Sequence, residues 1–125
     1  MTVRHARFAP RALADYHEII RYTVECFGPI TATRYESLIE QAIKDLRADA
    51  SRVGVIKHDE IQDGLYLYHL KSSKPKSARS VGRIRHPRHL IALRLPSGME
   101  VHVLRLLHDS MDLSSQVYPI EYVPM

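Results

Sequence analysis

Two amphipathic stretches separated by one glycine constrain the fold of this chain more than any other feature. Leu13, Tyr16, Ile20, Val24 and Phe27 recur at three- and four-residue steps, which lays an apolar stripe along a helix. Pro10 suits the first turn of that helix, where a missing N–H costs nothing. Gly28 ends it, as a residue tolerant of positive φ does. Pro29 then opens a second stripe of Ala32, Tyr35, Ile39, Ala42 and Leu46, flanked by Leu38 and Ile43. Arg34, Glu36, Glu40, Gln41 and Lys44 mark its wet side. With only Gly28 between them, the helices have to turn back as an αα-hairpin.

A helical hairpin needs a partner for its apolar side, and the rest of the chain reads as strands. Val3 to Phe8 is a short first strand. Ala48 to Gly54 is a loop, and Val55 and Ile56 add a short extended piece. Gly64 to Leu70 alternates and is rich in β-formers, so it is a strand. Ser72 to Pro87 is a long basic connection. His89 to Leu95 and Glu100 to Leu107 form an antiparallel hairpin about a turn at Pro96-Ser97-Gly98. Strict alternation puts Val101, Val103 and Arg105 on one face of the last strand and His102, Leu104 and Leu106 on the other. The order is β-α-α-β-β-β: an α+β fold with a small curved, largely antiparallel sheet packed against an N-terminal helical hairpin. One domain is expected over residues 1–113, with an irregular tail at 114–125 holding Pro119 and Pro124.

Composition excludes several classes. The chain has 125 residues, 45% hydrophobic and 26% charged, which is a globular balance. A lone cysteine, Cys26, can make neither an internal disulfide nor a zinc cluster, and beside the buried stripe it reads as a small apolar residue. His86-Pro87-Arg88-His89 spaces two histidines with no cysteine or carboxylate cluster nearby, which argues against a metal. The glycines are isolated, so there is no phosphate loop, and no cofactor is expected. Met1 to Ala9 lacks an apolar leader core and no run spans a bilayer, so the expected location is the cytoplasm without membrane contact. Net charge is +4, and its distribution is uneven. No acidic residue falls between Asp63 and Glu100, whereas Lys71, Lys74, Lys76, Arg79, Arg83, Arg85, Arg88 and Arg94 do. One strongly basic region follows, suited to an acidic partner or to phosphates, or serving only as a solvated loop.

Several segments resemble a known family. They are Phe8-Ala9-Pro10-Arg11-Ala12-Leu13-Ala14-Asp15-Tyr16 with Ile19, Ile20 and Tyr22; Phe27-Gly28-Pro29 followed by Ala32, Tyr35, Leu38 and Ile43; Asp59-Glu60-Ile61-Gln62-Asp63-Gly64-Leu65; Arg88-His89-Leu90-Ile91-Ala92-Leu93-Arg94; and Val103-Leu104-Arg105-Leu106-Leu107-His108-Asp109-Ser110-Met111-Asp112. In this order they resemble the RelE/ParE toxin superfamily, and the last resembles its ParE branch. The chain departs from the family in having Leu93 where a tyrosine is usual, a longer basic segment and a longer tail. The resemblance implies the toxin of a type II toxin–antitoxin pair, a non-enzymatic poison of DNA gyrase neutralised by a ParD-like antitoxin. Promoter DNA would be met only through that antitoxin. A degenerate member that keeps its antitoxin and has lost toxicity is a further possibility.

The alternative within the superfamily is a RelE-type, ribosome-dependent mRNA endonuclease. Such chemistry needs a base, an acid and cations on the phosphate. His89, His102 and His108 are candidates for proton transfer, Arg94 and Arg105 for the cations, with Tyr118 or Tyr122 near the end. Eight histidines in a short chain place some beside arginines by composition alone, so structural roles weigh more than catalysis here. The residues expected to contact target or antitoxin are Arg83, Arg85, Arg88, Arg94, Arg105, His108 and Asp112. For His108 and Asp112 the local expectation is hydrogen bonding that holds the strand exit. A second expected surface is the exposed rim of the helical hairpin, onto which an antitoxin helix can pack.

Overall fold

A computed structural model describes residues 3–73 and 84–119. The elements run β1 (His5–Phe8), α1 (Pro10–Phe27), α2 (Pro29–Ala48), β2 (Val55–Lys57), β3 (Tyr66–His69), β4 (His89–Ser97) and β5 (Glu100–His108). Short 3₁₀ turns follow β3 at Leu70–Ser72 and β5 at Leu113–Ser115. The α+β arrangement expected from the sequence is the one observed. The strands form a five-stranded sheet in the order β1-β5-β4-β3-β2. β1 lies parallel to β5, and the other pairs are antiparallel. The short piece at Val55 is thus a real edge strand, held by pairing with Tyr68, Leu67 and Tyr66.

Gly28 makes the helical hairpin possible. Its φ of 90° is open to glycine and strained for residues with a Cβ. Its N–H closes α1 on the Val24 carbonyl, and its own carbonyl accepts from Ala32 to start α2. On α2 the buried side is the expected stripe, from Ala32 through Tyr35, Leu38, Ile39 and Ala42 to Leu46. On α1 the expected stripe is displaced. Ala12, Asp15 and Thr23 are buried, with Tyr16, Ile19 and Ile20 packed against the core, while Leu13, Val24 and Phe27 face outward. The helix turns this way because Asp15 is drawn inward by two buried donors on β5, the Arg105 guanidinium and the Leu106 N–H.

The sheet has two apolar faces. Ile91, Leu93, Val101, Val103 and Leu106 pack under Leu38, Ile39, Ala42 and Leu46 of α2. Leu67, Leu90, Ala92, Leu104 and Leu107 form a second cluster, closed by Leu65 and Tyr118. Each fully buried leucine contributes about 1.5–3 kcal/mol by leaving water. The expected faces of β5 are corrected beyond Val103. Leu93 pairs with Val103 and Ala92 with Arg105, so Leu104 is an extra residue in the strand. That bulge resets the alternation and sends Leu106 to the helix side with Val101 and Val103. The hairpin also turns later than expected, at Gly98 and Met99, because β4 continues through Pro96 where its register with β5 is interrupted. After Leu113 the chain stays with the sheet as far as Tyr118, whose hydroxyl donates to the Leu113 carbonyl at 2.7 Å.

A buried polar network fixes the point where the basic connection leaves. The Ser73 hydroxyl donates to Asp45 Oδ2 at 2.6 Å and accepts from the Tyr68 hydroxyl at 2.6 Å. Arg52 completes the arrangement on Asp45 at 3.0 Å.

Candidate functional site

The beginning of β4 and the end of β5 bring His89 and His108 opposite each other in register. Their rings meet edge to face with centroids 5.1 Å apart. Tyr35 reaches this pair from the buried stripe of α2, its hydroxyl 2.6 Å from His89 Nδ1. The same hydroxyl accepts the Arg88 N–H at 3.2 Å. Burial pushes the Tyr35 pKa up to about 12, so the phenol keeps its proton and donates it to Nδ1. The hydrogen-bond pattern therefore assigns His89 its proton on Nε2. His108 has the same tautomer, since its Nδ1 accepts the Ser110 N–H at 3.1 Å. His69 Nδ1 accepts the Lys71 N–H at 3.1 Å, which leaves Nε2 to bond Asp109 at 3.0 Å.

Burial first, and the neighbouring His108 second, lower the His89 pKa to about 4. His89 is thus neutral near pH 7. Asp109 moves in its own direction, down to about 2, through hydrogen bonds from Arg88 and then from His69. Its carboxylate binds the Arg88 guanidinium at 2.9 Å. The site combines two imidazoles in edge-to-face contact, of which His89 is neutral, with an ionised Arg–Asp pair and a phenol bonded to His89 and to the Arg88 N–H.

Two cavities flank the helical hairpin. One, of about 380 Å³, is lined by Tyr35, His89, His108 and Arg88 together with Tyr22 and Phe27 from the last part of α1. The second, of about 330 Å³, is an apolar groove between the beginning of α1 and the outer side of α2. Phe8, Leu13, Tyr16, Ile43 and Leu106 line it, with Glu40 and Lys44 among its few polar groups.

The residues expected from sequence to touch a partner are distributed unevenly. Arg88 and His108 come together at the imidazole site. Arg85 is exposed near it. Arg83 lies outside the described residues, as do Lys74, Lys76, Arg79 and Tyr122. Arg94 pairs in register with His102, which pairs with Arg7, so the three form a row across β4, β5 and β1. His102 bonds Glu100 at 3.1 Å. Arg105 is corrected from a surface contact to a buried group: it is 3% exposed and bound to Asp15 at 2.7 Å and to the Val117 carbonyl at 2.8 Å. Asp112 caps the last 3₁₀ turn by accepting the Ser114 N–H at 3.2 Å, and His108 holds Ser110, so both secure the strand exit as expected. Tyr35, His69 and Asp109 are site members that sequence reasoning did not single out. A tyrosine in a buried stripe needs a hydroxyl partner, and that was the available signal for Tyr35. Among the described residues no group of three or more His, Cys, Asp or Glu side chains is arranged to hold a metal. Nor is any described helix long and apolar enough to cross a membrane.

The family model described as "ParE toxin of type II toxin-antitoxin system, parDE" matches residues 6–113. No curated protein sequence matches the chain. Among solved structures, the chain is similar to one described as "Chromosomal ParDE TA system from P. aeruginosa", with a TM-score of 0.60 and 18% identity. The match covers 85% of this chain and 96% of that one, and at this identity it establishes the fold.

Proposed function

The chain belongs to the ParE toxin family of type II toxin–antitoxin systems, and on that premise we propose that it poisons DNA gyrase by binding and is neutralised by a ParD-like antitoxin. The observation that carries the antitoxin half is the apolar groove along α1 and α2. Leu13 is 47% exposed at its edge, and Phe8 is also exposed there. An amphipathic antitoxin helix with apolar residues at three- and four-residue steps fits such a groove. Promoter DNA is reached through the antitoxin.

The binding-type reading, without catalysis, is supported by where the proton-transfer candidates fall. His102 is engaged with Glu100 at the beginning of β5, whereas His108 stands at the other end of that strand. Arg105 is committed to Asp15. His89 and His108 meet, but neither expected cation joins them: Arg94 stands in register with His102 and Arg105 is bound to Asp15. One observation favours the ribosome-dependent nuclease instead: the lateral row Arg7–His102–Arg94 sets cations on both sides of an imidazole.

The experiment compares two assays with the purified full-length protein. One follows supercoiling and DNA cleavage by gyrase, and the other follows translation and mRNA integrity on ribosomes. Gyrase inhibition abolished by the antitoxin is the expected outcome. Inhibition confined to the ribosome assay overturns the gyrase reading and moves attention to the Arg7–His102–Arg94 row.

A further inference from the structure

We propose that the cavity between the end of α1 and the imidazole pair is a binding site for a nucleoside phosphate, presented either as a free nucleotide or as one unit of a single-stranded nucleic acid. The site is separate from the antitoxin groove and does not rest on the gyrase reading. The groove lies at the beginning of α1, around Leu13, and this cavity at its end, around Phe27.

Three observations converge. First, the donors. Tyr35 and Ser110 occupy Nδ1 of His89 and His108, so each ring carries its proton on Nε2, and neither Nε2 has a partner among the described residues. Both rings line the cavity together with His86 and Arg88, and none of the described lining side chains is acidic. Two unpartnered N–H donors beside a guanidinium favour a multivalent oxyanion. Asp109 does not line the cavity, and its charge is already matched by Arg88 and His69.

Second, the aromatic rim. Tyr22 and Phe27 are 60% and 64% exposed although both rings are large and apolar. Their centroids stand 6.5 Å apart with planes at 70°. A flat base stacked on one ring meets the edge of the other, an arrangement that tolerates any base. Third, the volume. About 380 Å³ falls within the range of small-ligand sites. A cavity lined by both exposed aromatic rings and imidazole and guanidinium donors selects a ligand with a flat ring at one end and a phosphate at the other. A bare oxyanion leaves the rim unused, and a bare base leaves the donors unused.

The test titrates the full-length protein with adenosine 5′-monophosphate, adenosine, inorganic phosphate and a mixed-sequence single-stranded RNA decamer, following histidine ring resonances by NMR. Saturable binding of the monophosphate is expected, with adenosine and phosphate each weaker by about ten-fold or more. Combined Tyr22→Ala and Phe27→Ala substitution is expected to weaken the monophosphate by about ten-fold, the scale of a lost base–aromatic stack, with the melting temperature unchanged because both rings are exposed. His108→Gln is expected to weaken monophosphate and phosphate and leave adenosine unaffected. Tighter binding of the decamer identifies the nucleic-acid source, and tighter binding of the monophosphate identifies the free nucleotide. Adenosine binding as tightly as its monophosphate, or no saturation by any probe, overturns the proposal. Monophosphate binding indifferent to both variants does the same. None of these readouts uses gyrase or the antitoxin, so failure here is distinguishable from failure of the proposed function.

Discussion

Asp15 on α1 and Arg105 on β5 form a buried ion pair, with Arg105 Nε 2.7 Å from Asp15 Oδ2 and the Leu106 N–H 3.1 Å from the same oxygen. β1 stops pairing with β5 at Val103, so beyond that point β5 has no strand on this side among the described residues. The carboxylate of Asp15 takes the place of a pairing strand and satisfies the buried Leu106 N–H. Removing either partner leaves a buried charge without compensation. Arg105→Met and Asp15→Ala are each expected to cost about 3–5 kcal/mol in urea unfolding. Asp15→Asn is expected to cost less, because the amide oxygen still accepts from Leu106. Equal losses for Asp15→Asn and Asp15→Ala would show that the Leu106 bond is unimportant.

The neutral state of His89 makes stability depend on pH. Its folded pKa is about 4 against an ordinary value of 6.5. Below pH 6.5 the unfolded chain takes up a proton that the folded chain refuses. Stability therefore falls as pH drops from 6.5 to 4 and levels off below that, by up to about 3 kcal/mol. His108, His69, Arg88 and Asp109 are the charged or titratable groups acting on the ring. Asp109 contributes in a lower window: its depressed pKa of about 2 stabilises above the ordinary carboxylate value of 3.8, and that contribution is lost as pH falls towards 2. His89→Gln should flatten the upper window only. Urea midpoints measured across both windows check this, and an unchanged slope between pH 6.5 and 4 in the variant would remove His89 as the cause.

If the groove on α1 and α2 seats the antitoxin, Leu13 is the exposed leucine that lines it. Leu13→Asp is expected to weaken antitoxin binding by about thirty-fold or more, the scale of an interface hot spot. The melting temperature should hold, because Leu13 is 47% exposed in the free toxin. Calorimetric titration reads the first and a thermal scan the second. The uncovered patch also predicts poor solubility of the toxin expressed without its partner.

The basic region makes a separate prediction. Reversing the charge at Arg83, Arg85 and Arg88 together is expected to reduce toxicity or antitoxin affinity, since attraction to phosphate or carboxylate depends on their sign. Arg88 also holds Asp109, so Arg88→Met alone serves as the control for that contact. Unchanged growth inhibition together with unchanged antitoxin binding in the triple variant would assign these arginines to solvent.

Gly54 tests the turn before β2. Its φ is +103°, and an added Cβ would fall 2.5 Å from Ser72 Oγ. Gly54→Ala is expected to cost about 1–3 kcal/mol through backbone strain alone. A denaturation midpoint equal to that of the unchanged protein would show that the turn relaxes.

The sequence was most legible where one physical requirement acted alone. The α2 stripe needs only burial, and Ala32, Tyr35, Ile39, Ala42 and Leu46 are all buried. On α1 two requirements compete, and the polar one wins: a pattern search treats Asp15 as wet and Leu13 as dry, and the Arg105 pair reverses both. The bulge at Leu104 leaves no mark in composition, so the second half of β5 was given the wrong faces. Of the site, His108 and Asp112 were readable because their bonds are local, two residues along the chain. His69 meets Asp109, and Tyr35 meets His89, across long sequence separations; a buried tyrosine signals that its hydroxyl needs a partner, but nothing local says which.

The parallel pairing of β1 with β5 has a consequence for the order of assembly. Among the described residues His5 to Phe8 pair as a strand with Glu100 to Val103, so during synthesis the first strand waits, unpaired, until β5 has emerged. Closing so long a loop is paid for before any contact rewards it. The hairpin of α1 and α2 can coil earlier, but Asp15 has no Arg105 to neutralise it until β5 arrives. A growing polypeptide of this kind holds its parts and not its architecture until β5 has been made and can receive β1.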